Sequence, residues 1–264
     1  MIGKKIALAL GGGSSLGFAH IGVIKAFEEN GIYFDLITGT SMGAVVGGAY
    51  AYTLNIKLLE EKALRFSRSK FTDFRLFPLS KNSLCVGKRA DRYFKMILGD
   101  KTPVGATKIP FGAVAVDVVS GEIEYMTTGK LWEAVRASMS VPAVFSPFRR
   151  GDKLLIDGGV KENVPVELAK KMGADIVIAV DVIDYDVIRA NNNRMFGMLI
   201  NSYHLAQIEL SKYKCDKADI VIRPDLKGRN MLDFKKESTI KTIEAGYNKT
   251  IELMPEIKKL LHIV

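Results

Sequence analysis

The sequence predicts an α/β fold of three layers, α/β/α, with a mostly parallel central sheet. Three observations carry that expectation. Short apolar runs recur along the chain, the pattern of strands buried on both faces. Segments of helical period alternate with them, so the order reads strand, loop, helix, strand. Two strand-to-helix connections are glycine-rich, at Gly11–Gly17 and Gly39–Gly43. Such loops gather at the carboxyl ends of the strands, where these sheets bind ligands.

Lys5–Leu10 is the first strand, and Phe18–Asn30 the first helix, with Ile21, Ile24 and Phe27 on one side and Gly31 as its stop. Phe34–Thr38 reads as a strand that turns at Gly39–Gly43 into a helix of small residues, Ala44, Gly47, Gly48 and Ala49. Ile56–Phe66 is another helix, Lys70–Gly87 a loop that covers the site, and Lys88–Leu98 a helix stopped by Gly99. Phe111–Val119 and Glu122–Thr127 form a hairpin through Ser120-Gly121. Leu131–Met139 is helical, and Pro147 keeps the segment after it irregular. Leu154–Ile156 is a short strand running into Asp157-Gly158-Gly159. Pro165 opens a helix over Val164–Met172, and Asp175–Val182 is a buried parallel strand. Asn191–Asn193 is a loop before the helix Met195–Tyr213, Ala218–Arg223 is the last strand, and Phe234–Leu261 is a helical tail interrupted or kinked at Pro255. No linker, repeat or low-complexity segment divides the chain. Residues 1–264 therefore read as a single domain, with a core over about 5–182 and a C-terminal strand and helices over 183–264.

The two cysteines, Cys85 and Cys215, form no CxxC, which argues for a reducing compartment and against a disulfide framework or a zinc site. The three histidines are scattered, so no metal or cofactor is expected. The apolar run after Lys4-Lys5 is too short for a signal peptide. The uncharged stretch Leu36–Ile56 holds four glycines and reads as the turn and its helix, not as a membrane span. A cytoplasmic protein is expected. Of the +9 net charge, most lies in residues 65–108, where eleven Lys/Arg face three Asp among large apolar residues. That pattern suits peripheral contact with an anionic membrane, or simply a solvated face; no nucleic-acid motif accompanies it.

Gly39-Thr40-Ser41-Met42-Gly43 has the spacing of a nucleophile elbow. The serine adopts a strained backbone to expose its hydroxyl, and the flanking glycines let strand and helix approach. Gly13-Ser14-Ser15-Leu16-Gly17 has the same spacing, so spacing alone does not choose between Ser41 and Ser15. The small-residue helix favours Ser41. The consecutive glycines favour the first loop as an oxyanion site made of the amides of Gly12, Gly13 and Ser14. The same loop fails the dinucleotide pattern G-x-G-x-x-G in either register. None of His20, His204 and His262 has a triad context, and Asp157 is left as a candidate base, on the weak signal of Asp-Gly-Gly.

Together, Leu8–Gly13, Gly17–Val23, Gly39–Gly43, Arg136–Phe145, Asp157–Gly159 and Val164–Val166 resemble, in order, the motifs of the patatin-like phospholipase family. The resemblance covers roughly residues 5–182. It implies a patatin-like fold, a Ser-Asp dyad of Ser41 as nucleophile and Asp157 as proton acceptor, and an oxyanion loop at Gly12, Gly13 and Ser14. Gly39, Gly43, Gly158 and Gly159 would support them. It implies hydrolysis of lipid acyl esters without metal. One departure stands out: where the family has G-G-G-x-[RK]-G, this chain has Ser14 for a glycine and Leu16 for the basic residue. That loss of charge motivates an alternative, a weak or inactive relative acting in binding or regulation.

Overall fold

The computed structural model describes residues 3–67, 71, 86–183 and 195–263. In chain order the elements are β1 (Ile6–Leu10), α1 (Ala19–Glu29), β2 (Leu36–Gly39), α2 (Met42–Thr53), α3 (Ile56–Leu64), α4 (Lys88–Leu98), β3 (Phe111–Asp117), β4 (Ile123–Met126), α5 (Leu131–Ser138), β5 (Phe148–Arg150), β6 (Lys153–Asp157), α6 (Val166–Lys171), β7 (Ile176–Val180), α7 (Met195–Cys215), β8 (Ile220–Ile222) and α8 (Lys236–Leu260). The strands form one mixed sheet. β1 pairs in parallel with β2 and β7, β2 with β3, and β7 with β8, while β4, β5 and β6 pair antiparallel.

Strand side chains alternate between faces, and this builds the two outer layers. Leu8 and Leu10 of β1 enter one core together with Ile178 and Val180 of β7. Ala7 and Ala9 enter the other with Val177 and Ala179. The first core packs on α1, α2, α4, α5 and α8. The second is thinner and is closed by Val166 and Ala169 of α6 and Cys215 of α7. The C-terminal α8 lies directly on α1. Gly22 sits against the carbonyl of Ile243 and Gly246 against the carbonyl of Ala19, so any side chain at either glycine would hold the helices apart.

The register of β3 decides where the chemistry can occur. Ala113 pairs with both Gly39 of β2 and Met126 of β4, so β2 and β4 flank opposite edges. Ala115 pairs with both Glu124 of β4 and Asp157 of β6, so β6 shares the edge used by β2. β2 runs parallel to β3 and β6 antiparallel, so their carboxyl ends meet head to head. Gly39 and Asp157 are thereby brought within two β3 positions of each other.

Two expectations change. The segment after Pro147 is not irregular: β5 forms a hairpin with β6 through Gly151, whose φ of 59° suits glycine. Pro147 precedes the strand and costs it no ladder bond. The tail is not interrupted at Pro255, because α8 continues through it. Burial of Met254 and Ile257 holds the helix on the core, while Ile251, whose carbonyl loses its partner, lies on the exposed side. The expected cover at Lys70–Gly87 and the loop at Asn191–Asn193 fall largely or wholly outside the described residues. So does much of the basic stretch 65–108. In its described part, Ala90, Phe94 and Leu98 of α4 face the core, and Met96 is exposed. Among the described residues no helix is long and apolar enough to cross a membrane.

Candidate active site

Ser41 has φ 54° and ψ −121°, a left-handed geometry that a residue with a side chain adopts only when held there. What holds it is close packing on both sides. A Cβ on Gly39 would lie 2.5 Å from the Gly43 carbonyl, and one on Gly43 would collide with the Leu10 carbonyl. The Ser41 amide donates to Ser138 Oγ at 2.9 Å, which ties the elbow to the end of α5. Both glycines are thus required by backbone contact, and α2 begins directly after the serine.

Ser15 is placed differently. Its hydroxyl donates to the Asn230 carbonyl at 3.2 Å, and it does not line the cavity that Ser14 and Ser41 share. Ser14 takes φ 52°, so the residue that stands where a glycine was expected does reach the left-handed region. Leu16 is buried in the core, away from the cavity wall.

The glycine loop crosses the front of Ser41, and a Cβ on Gly12 would lie 3.0 Å from Ser41 Cβ. One part of the expected oxyanion site needs correction. The Gly12 amide is already engaged, donating to the Asn163 carbonyl at 3.1 Å, because the chain after β6 folds back along the loop. The amides of Gly13 and Ser14 have no such acceptor among the described residues. His20, fully buried, holds the base of the loop through Nε2, 2.7 Å from the Gly11 carbonyl. Gly11 O can only accept, so Nε2 carries the proton; burial keeps the ring neutral and pushes its pKa down to about 4.

Asp157 is buried at the end of β6. Its Oδ1 accepts from the Gly159 amide at 2.8 Å, while Oδ2 is buried without a partner of full hydrogen-bond geometry among the described residues. Burial raises its pKa to about 6; the Ser41 hydroxyl, the Gly159 amide and the Tyr203 hydroxyl all pull the other way by favouring the charged form. A buried carboxylate with an open acceptor position is suited to receive a proton. Gly158 is pressed on the Val114 carbonyl, which explains one glycine after the aspartate.

Ser41, Asp157, Gly12, Gly13 and Ser14 all line one cavity of about 290 Å³. Its wall is mostly apolar, with Phe66, Phe71, Tyr93, Phe94 and Phe145 among its side chains. These rings pack edge to face, Phe71 lying 5.5 Å from Phe94 and 6.0 Å from Phe145.

A family model, patatin-like phospholipase, matches residues 8–170. The chain belongs to that family. Among patatin-like relatives, it is 32% identical over 250 residues to a lysophospholipase NTE1 of Mycosarcoma maydis, covering 92% of this chain and 13% of that protein. It is 33% identical over 189 residues to human patatin-like phospholipase domain-containing protein 6, covering 69% of this chain and 14% of that one. This chain therefore spans a small fraction of the length of these curated relatives. VipD from Legionella pneumophila has the same fold at a TM-score of 0.54 and 13% identity, over 96% of this chain and 67% of that one. The family match starts at Leu8 and so takes in the glycine loop, the elbow and Asp157.

The patatin-like motifs do not contain every residue that builds the site. Asn163, Tyr203 and Gln207 touch it and lie outside those motifs, and Ser138, inside the Arg136–Phe145 motif, carries no role in the sequence reading. A signal existed for two of them. Tyr203 and Gln207 lie four residues apart on α7, and so share a face.

Proposed function

We propose that this chain is a serine hydrolase of lipid acyl esters, of the lysophospholipase or phospholipase A type. The observation that carries the reading is the convergence of a left-handed Ser41 and a buried Asp157 in the wall of one mostly apolar cavity. Asp157 takes the hydroxyl proton as Ser41 Oγ attacks the ester carbonyl. The amides of Gly13 and Ser14 receive the oxyanion, with Gly12 as the small residue that lets the loop approach. The proton held on Asp157 passes to the departing alcohol. Water then adds to the acyl-serine with Asp157 as base, and the acid leaves. Leu16, which stands where the family pattern has a basic residue, lies in the core outside the cavity wall, and the Gly13 and Ser14 amides do not depend on its side chain.

The apolar wall supports an acyl chain as the group bound there. Each methylene moved from water to that wall contributes about 0.8 kcal/mol, or roughly fourfold in kcat/KM, until the cavity is full. A series of 4-nitrophenyl esters of rising chain length, with a lysophospholipid beside it, tests this. Rates should climb with chain length and vanish in Ser41→Ala. A flat series, or hydrolysis that survives the substitution, contradicts the reading.

A further inference from the structure

Behind Asp157 lies a branched polar network whose directions can be read from a single fixed point. Gly12 O is a backbone carbonyl and can only accept. Asn163 therefore presents Nδ2 to it, at 3.3 Å, and turns Oδ1 the other way. Oδ1 faces Gln207 at 3.1 Å, so Gln207 must present Nε2. The same Nε2 donates to Tyr203 Oη at 2.9 Å. Gln207 Oε1 is left to accept from His204 Nδ1 at 3.0 Å. Tyr203 Oη, already accepting from Gln207, keeps its own proton to donate; it lies beside Gly159, whose amide bonds Asp157 Oδ1, and lines the same cavity as Asp157, whose buried Oδ2 is the open acceptor there.

Gly159 makes this arrangement possible. A Cβ there would collide with Gln207 Nε2 and lie 2.9 Å from Tyr203 Oη and 3.0 Å from Asn163 Oδ1. The second glycine of Asp-Gly-Gly is thus a passage for the network. Gln207 is buried, and all of its polar atoms are engaged, so the fork has one low-energy orientation.

We infer that Gln207 is a positioning residue for the hydrolase: one arm fixes the Tyr203 proton toward Asp157, and the other, through Asn163, fixes the glycine loop at Gly12. This rests on the reading of Asp157 as the base. Neither Gln207 nor Tyr203 gains or loses a bond in the reaction. Their part is to hold the carboxylate ready for one incoming proton and to keep the loop at a set distance from Ser41.

Among the described residues, these polar and titratable groups share the cavity of Asp157 or are linked to it. Ser41 faces it from the elbow, and Tyr203 and His204 from α7. His204 is kept neutral by burial, which lowers its pKa. Arg136 of α5 is linked to it through Ser140, bonding Ser140 Oγ at 2.6 Å while Ser140 O accepts from the Asp157 amide, and it pairs with Asp91 at 2.8 Å. Lys62 and Tyr93 line the same cavity, and Glu162 follows on the next turn, bonded to Tyr125. None of these is changed by the substitutions below.

The test is a titration of the Asp157 carboxyl carbon by NMR on protein labelled with 13C-aspartate, the signal being assigned by its loss in Asp157→Asn. Tyr203→Phe removes the donor, and Gln207→Leu removes the group that aims it. Both should raise the midpoint, by about one pH unit for a lost hydrogen bond to the charged form. In the same variants kcat/KM on a 4-nitrophenyl ester should fall about tenfold at pH 5 and stay within about threefold at pH 9, since below both midpoints one pH unit is a factor of ten in the ionised fraction. Unchanged midpoints in both variants overturn the inference. A shift in Tyr203→Phe alone overturns the role given to Gln207. Equal loss of activity at every pH, with an unmoved midpoint, would mark a purely structural role and also overturns it. The midpoint reports Asp157 whether or not it is the base. An Asp157→Asn protein that still hydrolysed esters would remove the dyad and leave the titration result standing.

Discussion

Asp157→Asn should abolish ester hydrolysis and at the same time make the protein more stable at pH 8. The first effect follows from its proposed role as proton acceptor, because an amide cannot take the Ser41 proton; a loss of at least ~10⁴-fold is expected for a group of this kind. The second follows from burial. The carboxyl pKa is 3.8 when unperturbed and about 6 in the fold, so at pH 8 the fold carries a charged group in a place that disfavours it, at a cost on the order of 3 kcal/mol. Asparagine keeps the acceptor for the Gly159 amide and removes the charge.

The sign has a definite pH signature. Between about 4 and 6 the folded state binds the Asp157 proton more tightly than the unfolded chain, so this group's contribution falls as pH rises through that window. His20 acts in the opposite sense. Its folded pKa lies near 4, below its usual 6.5, so its contribution rises with pH over much the same range. The two partly cancel in the wild-type curve. They separate in the difference between Asp157→Asn and wild type, because His20 is common to both. That difference should be near zero at pH 4 and reach its full value above pH 7, as read by urea melts. The wild-type rate should show an acid limb near pH 6. An inactive variant with no gain in stability at pH 8 would mean that Asp157 is not strained by burial, and its activation would need another cause.

Ser41→Gly and Ser41→Ala should both be inactive, yet differ in stability. Alanine inherits the φ of 54° and its strain, whereas glycine adopts that geometry freely. Glycine also loses more freedom on folding, which offsets part of the gain. The glycine variant should remain the more stable by about 1 kcal/mol, or roughly 2–4 °C in Tm for a chain of this size. Equal melting temperatures would show that the elbow is not under strain and that the left-handed backbone is simply the relaxed state of this turn.

What could be read from the sequence was what is decided locally. The elbow is legible because its requirement is steric and confined to five residues: Gly39 and Gly43 allow β2, Leu10 and α2 to touch. The alternating layers are legible because β1 and β7 carry large residues on one face and smaller ones on the other. The rest depends on register. Asp157 reaches Ser41 because β2 and β6 end on the same edge of β3, and no short motif encodes that edge. Ser15 could not be separated from Ser41 by spacing; what separates them is a hydrogen bond to Asn230, far along the chain. The Gly12 amide looked available because its partner, the Asn163 carbonyl, is brought up by the turn after β6. Tyr203 and Gln207 sit on a helix whose polar face looks like ordinary surface until Gly159 is placed beneath it.

The central claim is that Ser41 is the nucleophile of this patatin-like chain. Incubation with a fluorophosphonate, followed by peptide mass spectrometry, tests it most directly. One adduct is expected, on the peptide carrying Ser41, formed in wild type and lost in Ser41→Ala, and formed far more slowly in Asp157→Asn. An adduct on Ser15, or labelling that persists in Ser41→Ala, would contradict it.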